Sequence, residues 1–291
     1  MNRAISHLNS LWAHAHPDSK RLQFIYLLGL GLIPFTILYA PFREWLGFGW
    51  WFLMWIYVIQ YFAIKFDTVV YHRLFAHNLY TVKPWFERVL VLISPLLLQS
   101  YPAGYSWLHL RHHKYADQEG DPHPPVSATR RRWVNLVFPF LHDSKELELK
   151  LIIKFMRRPG QKFITKYYWY MVAFITVLFC IVNYKLLFIW LAGTQLGIFM
   201  GYMLNTYGHN PPDSKLYFWK HYRGDIDSTH KAVNLPGWSL QGRGENWHYV
   251  HHTYPNRWNF HPEAEQGKLD QNAWIIDKLV KLGIAEVKTP A

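Results

Sequence analysis

LQFIYLLGLGLIPFTILYAPF, Leu22–Phe42, and WLGFGWWFLMWIYVIQYFAI, Trp45–Ile64, are two charge-free runs separated only by Arg43-Glu44. A helix rising about 1.5 Å per residue needs about 20 apolar residues to cross a hydrocarbon core of about 30 Å. Both runs are that long, so they predict two spanning helices in a hairpin. Tyr167–Tyr184 and Leu186–Leu204, joined at Lys185, predict a second hairpin. One such run could be a buried core helix, but four in two close pairs point to a bilayer. A fifth charge-free run, Val89–Leu108, holds Pro95, Pro102 and Gly104, which interrupt a helix. It reads as a helix lying at the interface or as a partly buried re-entrant segment.

The expected fold is therefore all-α and integral to the membrane, with spans at about 22–42, 45–64, 167–184 and 186–204. Residues 1–21 form a polar N-terminal segment, and 22–291 form the membrane domain. Of 31 Lys and Arg, only Arg43 and Lys185 fall in the hairpin turns. The positive-inside rule places both termini in the cytoplasm, with a cap at about 109–166 and 210–291. No secretory leader, internal repeat or phosphate-binding glycine loop is evident.

Composition agrees. Aromatic residues make up 18% of the chain, as suits membrane interfaces. The single cysteine, Cys180, excludes a disulfide scaffold. The net charge of +12 follows the membrane topology, which argues against nucleic acid and for lipid headgroups or an acidic partner.

Histidine is the outlier, at 17 residues, nearly as many as all acidic residues together. Four groups carry it: His72-x4-His77, His109-x-x-His112-His113, Asn205-x3-His209 and His248-x-x-His251-His252. Helical positions i, i+3 and i+4 share a face. Each H-x-x-H-H is therefore expected to aim three imidazoles at one place, with Asn205 and His209 one turn apart. All four groups fall at one depth, on the cytoplasmic rim. Nine imidazoles exceed what one ion takes, and two ions with four or five nitrogens each fit the count. His7, His14, His16, His142, His221, His230 and His261 lie outside these patterns and read as surface or core residues.

As a set, these motifs resemble those of the integral-membrane fatty acid desaturases, particularly the acyl-CoA delta-9 type. The resemblance rests on His72-Arg73-Leu74-x-x-His77, on His109-x-x-His112-His113-Lys114-Tyr115 with Asp121-Pro122-His123, on Asn205-x3-His209, and on Gly244-Glu245-x-Trp247-His248-x-x-His251-His252. It implies a di-iron centre ligated by His72, His77, His109, His112, His113, His209, His248, His251 and His252, with Asn205 acting through a bound water. It also implies O2-dependent removal of two hydrogens from a fatty acyl chain, carried by CoA, a carrier protein or a lipid, and most simply as a thioester. A separate electron donor, ferredoxin-like or cytochrome-type, is implied because no haem-type domain is visible. A hydroxylase, acetylenase or terminal-alkene-forming enzyme would use the same ligands and differ in product. A metal transporter would place polar residues in mid-membrane, where these helices are nearly charge-free. The sequence departs from the family at the bulky stretch Phe66–Tyr71, at Asn246 and at Arg111.

Metal-bound imidazoles usually donate their other N–H to a carboxylate or carbonyl. Asp67, Asp117, Glu119, Asp121 and Glu245 are close enough in sequence, and Asp121 and Glu245 sit inside the matched motifs. On a helix leading into His72, the residues Thr68, Ile64, Tyr61 and Gln60 share its face and are expected to line an acyl channel. Of the two basic runs, Arg130–Arg132 suits an acidic redox partner or coenzyme A phosphates. Lys154, Arg157, Arg158 and Lys162 suit lipid headgroups.

Overall fold

The structure is a computed structural model, and it describes residues 17–47, 49–118, 120–122, 132–140, 154–209, 232–238 and 244–288. The chain is mostly helical. The first helix, α1 (Pro17–Leu38), ends before the expected Phe42, because Tyr39 is extended and Pro41 opens a short helix, α2 (Ala40–Leu46). Arg43-Glu44 lies inside α2 rather than in a bare turn, and Gly47 closes that helix at φ 60°. The next helix, α3 (Trp50–Phe66), starts five residues later than expected. It also continues past Ile64, running without a break into the π-helical segment Asp67–Ala76. His72 is therefore inside this helix and not beyond its end.

A short strand, β1 (Tyr80–Val82), leads to α4 (Pro84–Ile93), the 3-10 turn Ser94–Leu97 and α5 (Pro102–Tyr115). The two arms of this segment are bent by 81°. His77 before it and His109 near its end lie 2.8 Å apart at Nε2, so the segment returns to where it started. Its broken backbone is satisfied from neighbouring helices. Trp190 donates Nε1–H to the Leu96 carbonyl at 2.6 Å, and Tyr71 donates its hydroxyl to the Ser100 carbonyl at 2.7 Å. Irregular backbone shielded from water needs such partners.

After α6 (Arg132–Val137) comes α7 (Gln161–Gly208). A straight helix of 48 residues would reach about 72 Å. The backbone leaves the helical region at Asn183, two residues before the expected Lys185. The chain folds back there. The rings of Phe179 and Trp190 meet at 5.3 Å, and Trp169 shares one cluster with Ile198 and Tyr202. Among the described residues, three helical stretches, Asp18–Leu38, Trp50–Ala76 and Gln161–Gly208, are long and apolar enough to cross a membrane. Many of their large apolar side chains face outward, among them Trp50, Phe62, Phe174 and Ile181.

The second arm of α7 lies tightly against α3. A Cβ placed on Gly193 would sit 2.7 Å from Ile59 Cβ, and one on Gly197 3.2 Å from Ala63 Cβ. Small residues at this spacing let two backbones approach where no hydrophobic force drives helices together. The chain ends with α8 (His248–Thr253), α9 (Gln271–Lys281) and β2 (Ala285–Val287). The two strands pair antiparallel, Thr81 opposite Glu286, which adds a small sheet to the expected all-α fold. That sheet pins residues 285–287 to the segment just after His77.

Candidate metal centre

The nine motif histidines converge from four places: the π-helical segment and its end, α5, the end of α7, and α8. They form two groups, and within each group the candidate ligand atoms all lie within 4.8 Å of one another. One group is His72, His77, His109, His113 and His251; the other is His112, His209, His248 and His252. Each group could hold a metal ion.

The division corrects one expectation. Each H-x-x-H-H serves both groups instead of aiming three rings at one. Positions i and i+4 share a face, whereas adjacent residues are rotated by about 100°. His109 and His113 therefore turn one way and His112 the other. On α8, His251 departs in the same manner from His248 and His252.

The spacing of His72 and His77 has a local cause. Five residues do not share a face in an α-helix, but π-helical hydrogen bonds run from i to i+5. The His77 N–H donates to the His72 carbonyl at 3.0 Å, and the two rings lie 4.9 Å apart.

Carboxylates fix the rings from behind. His72 Nδ1 lies 2.9 Å from Glu245, His112 Nδ1 2.9 Å from Asp121, and His209 Nδ1 3.1 Å from Asp117. Asp121 and Glu245 were expected from their motifs. Asp117 was one of several nearby acids, and its partner is set by the loop that follows α5. Burial alone would raise the Glu245 carboxyl, but His72 and Arg73 hold it down at about 2. Burial, then the neighbouring imidazoles, pushes His77, His251 and His252 well below the ordinary histidine value. Burial also lowers His209, against the opposing pull of Asp117. These shifts favour the neutral ring, the form in which imidazole binds a metal.

The donor set fits a pair of cations. With Nδ1–H turned to Asp121 and Asp117, His112 and His209 would bring their Nε2 lone pairs within 3.1 Å of each other. A shared cation removes that repulsion. Other facing Nε2 pairs, such as His113 with His251 and His209 with His248, are 2.8 Å apart. Neighbouring nitrogens about 2.1 Å from one ion, at right angles, would sit about 3 Å apart. Imidazole suits iron, zinc and copper alike, so the nitrogens alone do not choose the metal.

A cavity of about 130 Å³ opens beside both groups, with His72, His109, His112, His248 and His251 in its wall. Ile64, Thr68 and Asn205 line it. Gln60 and Tyr61 are not among its lining residues. Gln60 is buried where α3 meets Gly197, and Tyr61 turns outward. Asp67, Gln99 and Tyr105 add polar groups that helical spacing did not suggest, and Gln99 Nε2–H donates to Asp67 at 2.8 Å.

Other expected sites lie elsewhere. Within the second basic run, Arg158 pairs with Glu87 at 2.8 Å and donates to the Leu74 carbonyl. His261 accepts the Glu263 N–H and joins neither histidine group. His7, His14, His16, Glu119, His123, His142, His221, His230, Arg130 and Arg131 lie outside the described residues.

A family model described as fatty acid desaturase matches residues 49–271. Delta-9 acyl-lipid desaturase 2 of Arabidopsis thaliana is 27% identical over 283 residues, covering 93% of this chain and 84% of its own. The sn-2 palmitoyl-lipid 9-desaturase of Nostoc sp. (strain 36) is 26% identical, over 92% of this chain and 91% of its own. The acyl-CoA C20 Delta5-desaturase of Anemone leveillei is 24% identical, over 91% and 82%.

Proposed function

The chain belongs to the fatty acid desaturase family, and from that premise we propose that it is an O2-dependent, di-iron fatty acyl desaturase. The observation that carries this reading is the division of nine imidazoles into groups of five and four beside one cavity. An unactivated methylene has no acidic proton and no leaving group, so side chains alone cannot attack it. Two irons held by these imidazoles would supply the oxidant. Two electrons from the acyl chain and two from a donor would then reduce O2 to two waters, leaving a carbon–carbon double bond.

The residues have separate tasks. Glu245, Asp121 and Asp117 hold the Nδ1–H tautomer, so that the Nε2 lone pairs of His72, His112 and His209 face inward. Asn205 acts through a bound water on the four-histidine side. Ile64 and Thr68 guide the acyl chain, and packing on Gly197 excludes Gln60 from that task. The substrate is a thioester-linked chain, as named for the Anemone relative; the acyl-lipid relatives name the competing carrier. Electrons come from a separate ferredoxin-like or cytochrome-type carrier. The reversal at Asn183 supports four spans, and the distribution of Lys and Arg supports cytoplasmic termini and site.

The test is expression in cells, followed by mass spectrometry of total fatty acids with double-bond positions. A new unsaturated species that disappears in His109→Ala is expected. A hydroxylated product, or an unchanged profile, would contradict desaturation. Purified protein supplied with acyl-CoA or with acyl lipid then identifies the carrier.

A further inference from the structure

The five-histidine group is tied to a part of the chain well beyond the last histidine motif. Arg73, fully buried, is shared by two buried carboxylates. Its Nη2 lies 2.9 Å from Glu245 Oε1 and its Nη1 3.0 Å from Asp270 Oδ2. The other oxygen of Glu245 takes His72 Nδ1. Asp270 is held firmly in turn. Oδ2 also accepts the Phe260 N–H at 2.7 Å, while Oδ1 caps α9 by accepting the N–H groups of Asn272 and Ala273. Asn272 donates Nδ2–H to Glu245 at 2.8 Å and accepts from Lys65. The Arg73 guanidinium lies 4.0 Å over the Phe260 ring, which also meets the His251 ring at 4.5 Å and the His72 ring at 5.9 Å.

We propose that Asp270 is a positioning residue for the five-histidine metal site: by sharing Arg73 with Glu245, it fixes the carboxylate that orients and polarises His72. Without the charge of Asp270, Arg73 would draw on Glu245 alone and weaken its hold on His72. A carboxylate on Nδ1 strengthens the imidazole as a ligand, and loss of such partners typically weakens metal affinity by about 10–100-fold. The four-histidine group takes its carboxylates from Asp117 and Asp121, so it should not feel the change. This proposal rests on the two-metal reading above.

Two substitutions separate charge from capping. Asn caps a helix as well as Asp does but carries no charge, whereas Glu carries the charge and caps less well. Full-length protein is purified from iron-supplemented cells, and its iron is counted by elemental mass spectrometry before and after challenge with an iron chelator. Wild type should hold two ions. Asp270→Asn should give up one of them about 10–100-fold more readily, and Asp270→Glu should keep both. Asp117→Asn should loosen the other ion, so the double variant Asp270→Asn/Asp117→Asn should lose both. Unchanged iron in Asp270→Asn, loss of both ions in that single variant, or loss in Asp270→Glu with retention in Asp270→Asn would each overturn the proposal. A double variant that still holds one ion would overturn it too. A wild-type chain that never holds two ions would overturn the underlying two-metal reading, and this proposal with it.

Discussion

The five-histidine group and the four-histidine group share α5 and α8, yet they are anchored differently. In the four-histidine group, His112 and His209 rest on Asp121 and Asp117, which lie four residues apart in one short loop. In the five-histidine group, His72 rests on Glu245, which is held by Arg73 and, through it, by Asp270 at the start of α9. One anchor is local and made by a few consecutive residues. The other joins three distant parts of the chain and closes only when the fold is complete. A substitution far from the metals can therefore reach the five-histidine group, whereas the four-histidine group answers mainly to its own loop.

The largest effect should come from the ligands. His251→Ala opens the first group and His112→Ala the second. Both should bring product to background by gas chromatography while leaving the protein inserted in the membrane. Substantial activity in either variant would mean that one group works without the other. His261→Ala, which touches neither group, should match wild type.

The anchors should differ next. Asp121→Asn should weaken metal retention by about 10–100-fold with little loss of fold. Glu245→Gln should do the same and also unfold more easily, since removing one partner of a buried ion pair costs about 3–5 kcal/mol. Chelator release and thermal unfolding measure the two quantities. Equal loss of thermal stability in both variants would erase the contrast between a local and a distributed anchor.

Gly208→Ala tests the four-histidine side alone. Its new Cβ would lie 2.8 Å from Cδ2 of His248. Overpacking of this kind costs about 1–3 kcal/mol, and the expected result is release of one iron with the other retained.

The smallest expected effect is on chain length. Ile64 lines the cavity. Ile64→Ala should favour longer acyl chains and Ile64→Trp shorter ones, read from products formed on a mixed-length pool. If neither shifts the preference while both stay active, Ile64 does not contact the chain.

Run length and charge made the apolar helices legible in the sequence, because crossing a bilayer is a one-dimensional requirement. The same signals misplaced their ends. Pro41 and the glycines at 47 and 49, rather than the charges at 43 and 44, stop α1 and delay α3. The π-helical segment left no mark in the hydrophobic pattern, although the five-residue spacing of His72 and His77 is what it accommodates. Motif spacing singled out the nine imidazoles that the structure gathers into two groups, but their division depends on a rotation of about 100° between adjacent helical residues. Asp117 and Asp270 were harder to see, since their roles arise only when separate segments meet. Asp270 carried one local signal, as an acidic residue at a helix start, and that signal described its cap and not its ion pair.

The most direct measurement is an anomalous difference map, recorded at the iron edge, of crystals of the iron-loaded protein. Two peaks are expected. One should lie about 2.1 Å from nitrogens of His72, His77, His109, His113 and His251, and the other from nitrogens of His112, His209, His248 and His252. A single peak between the groups, or two peaks with the histidines divided otherwise, would contradict this division of the site.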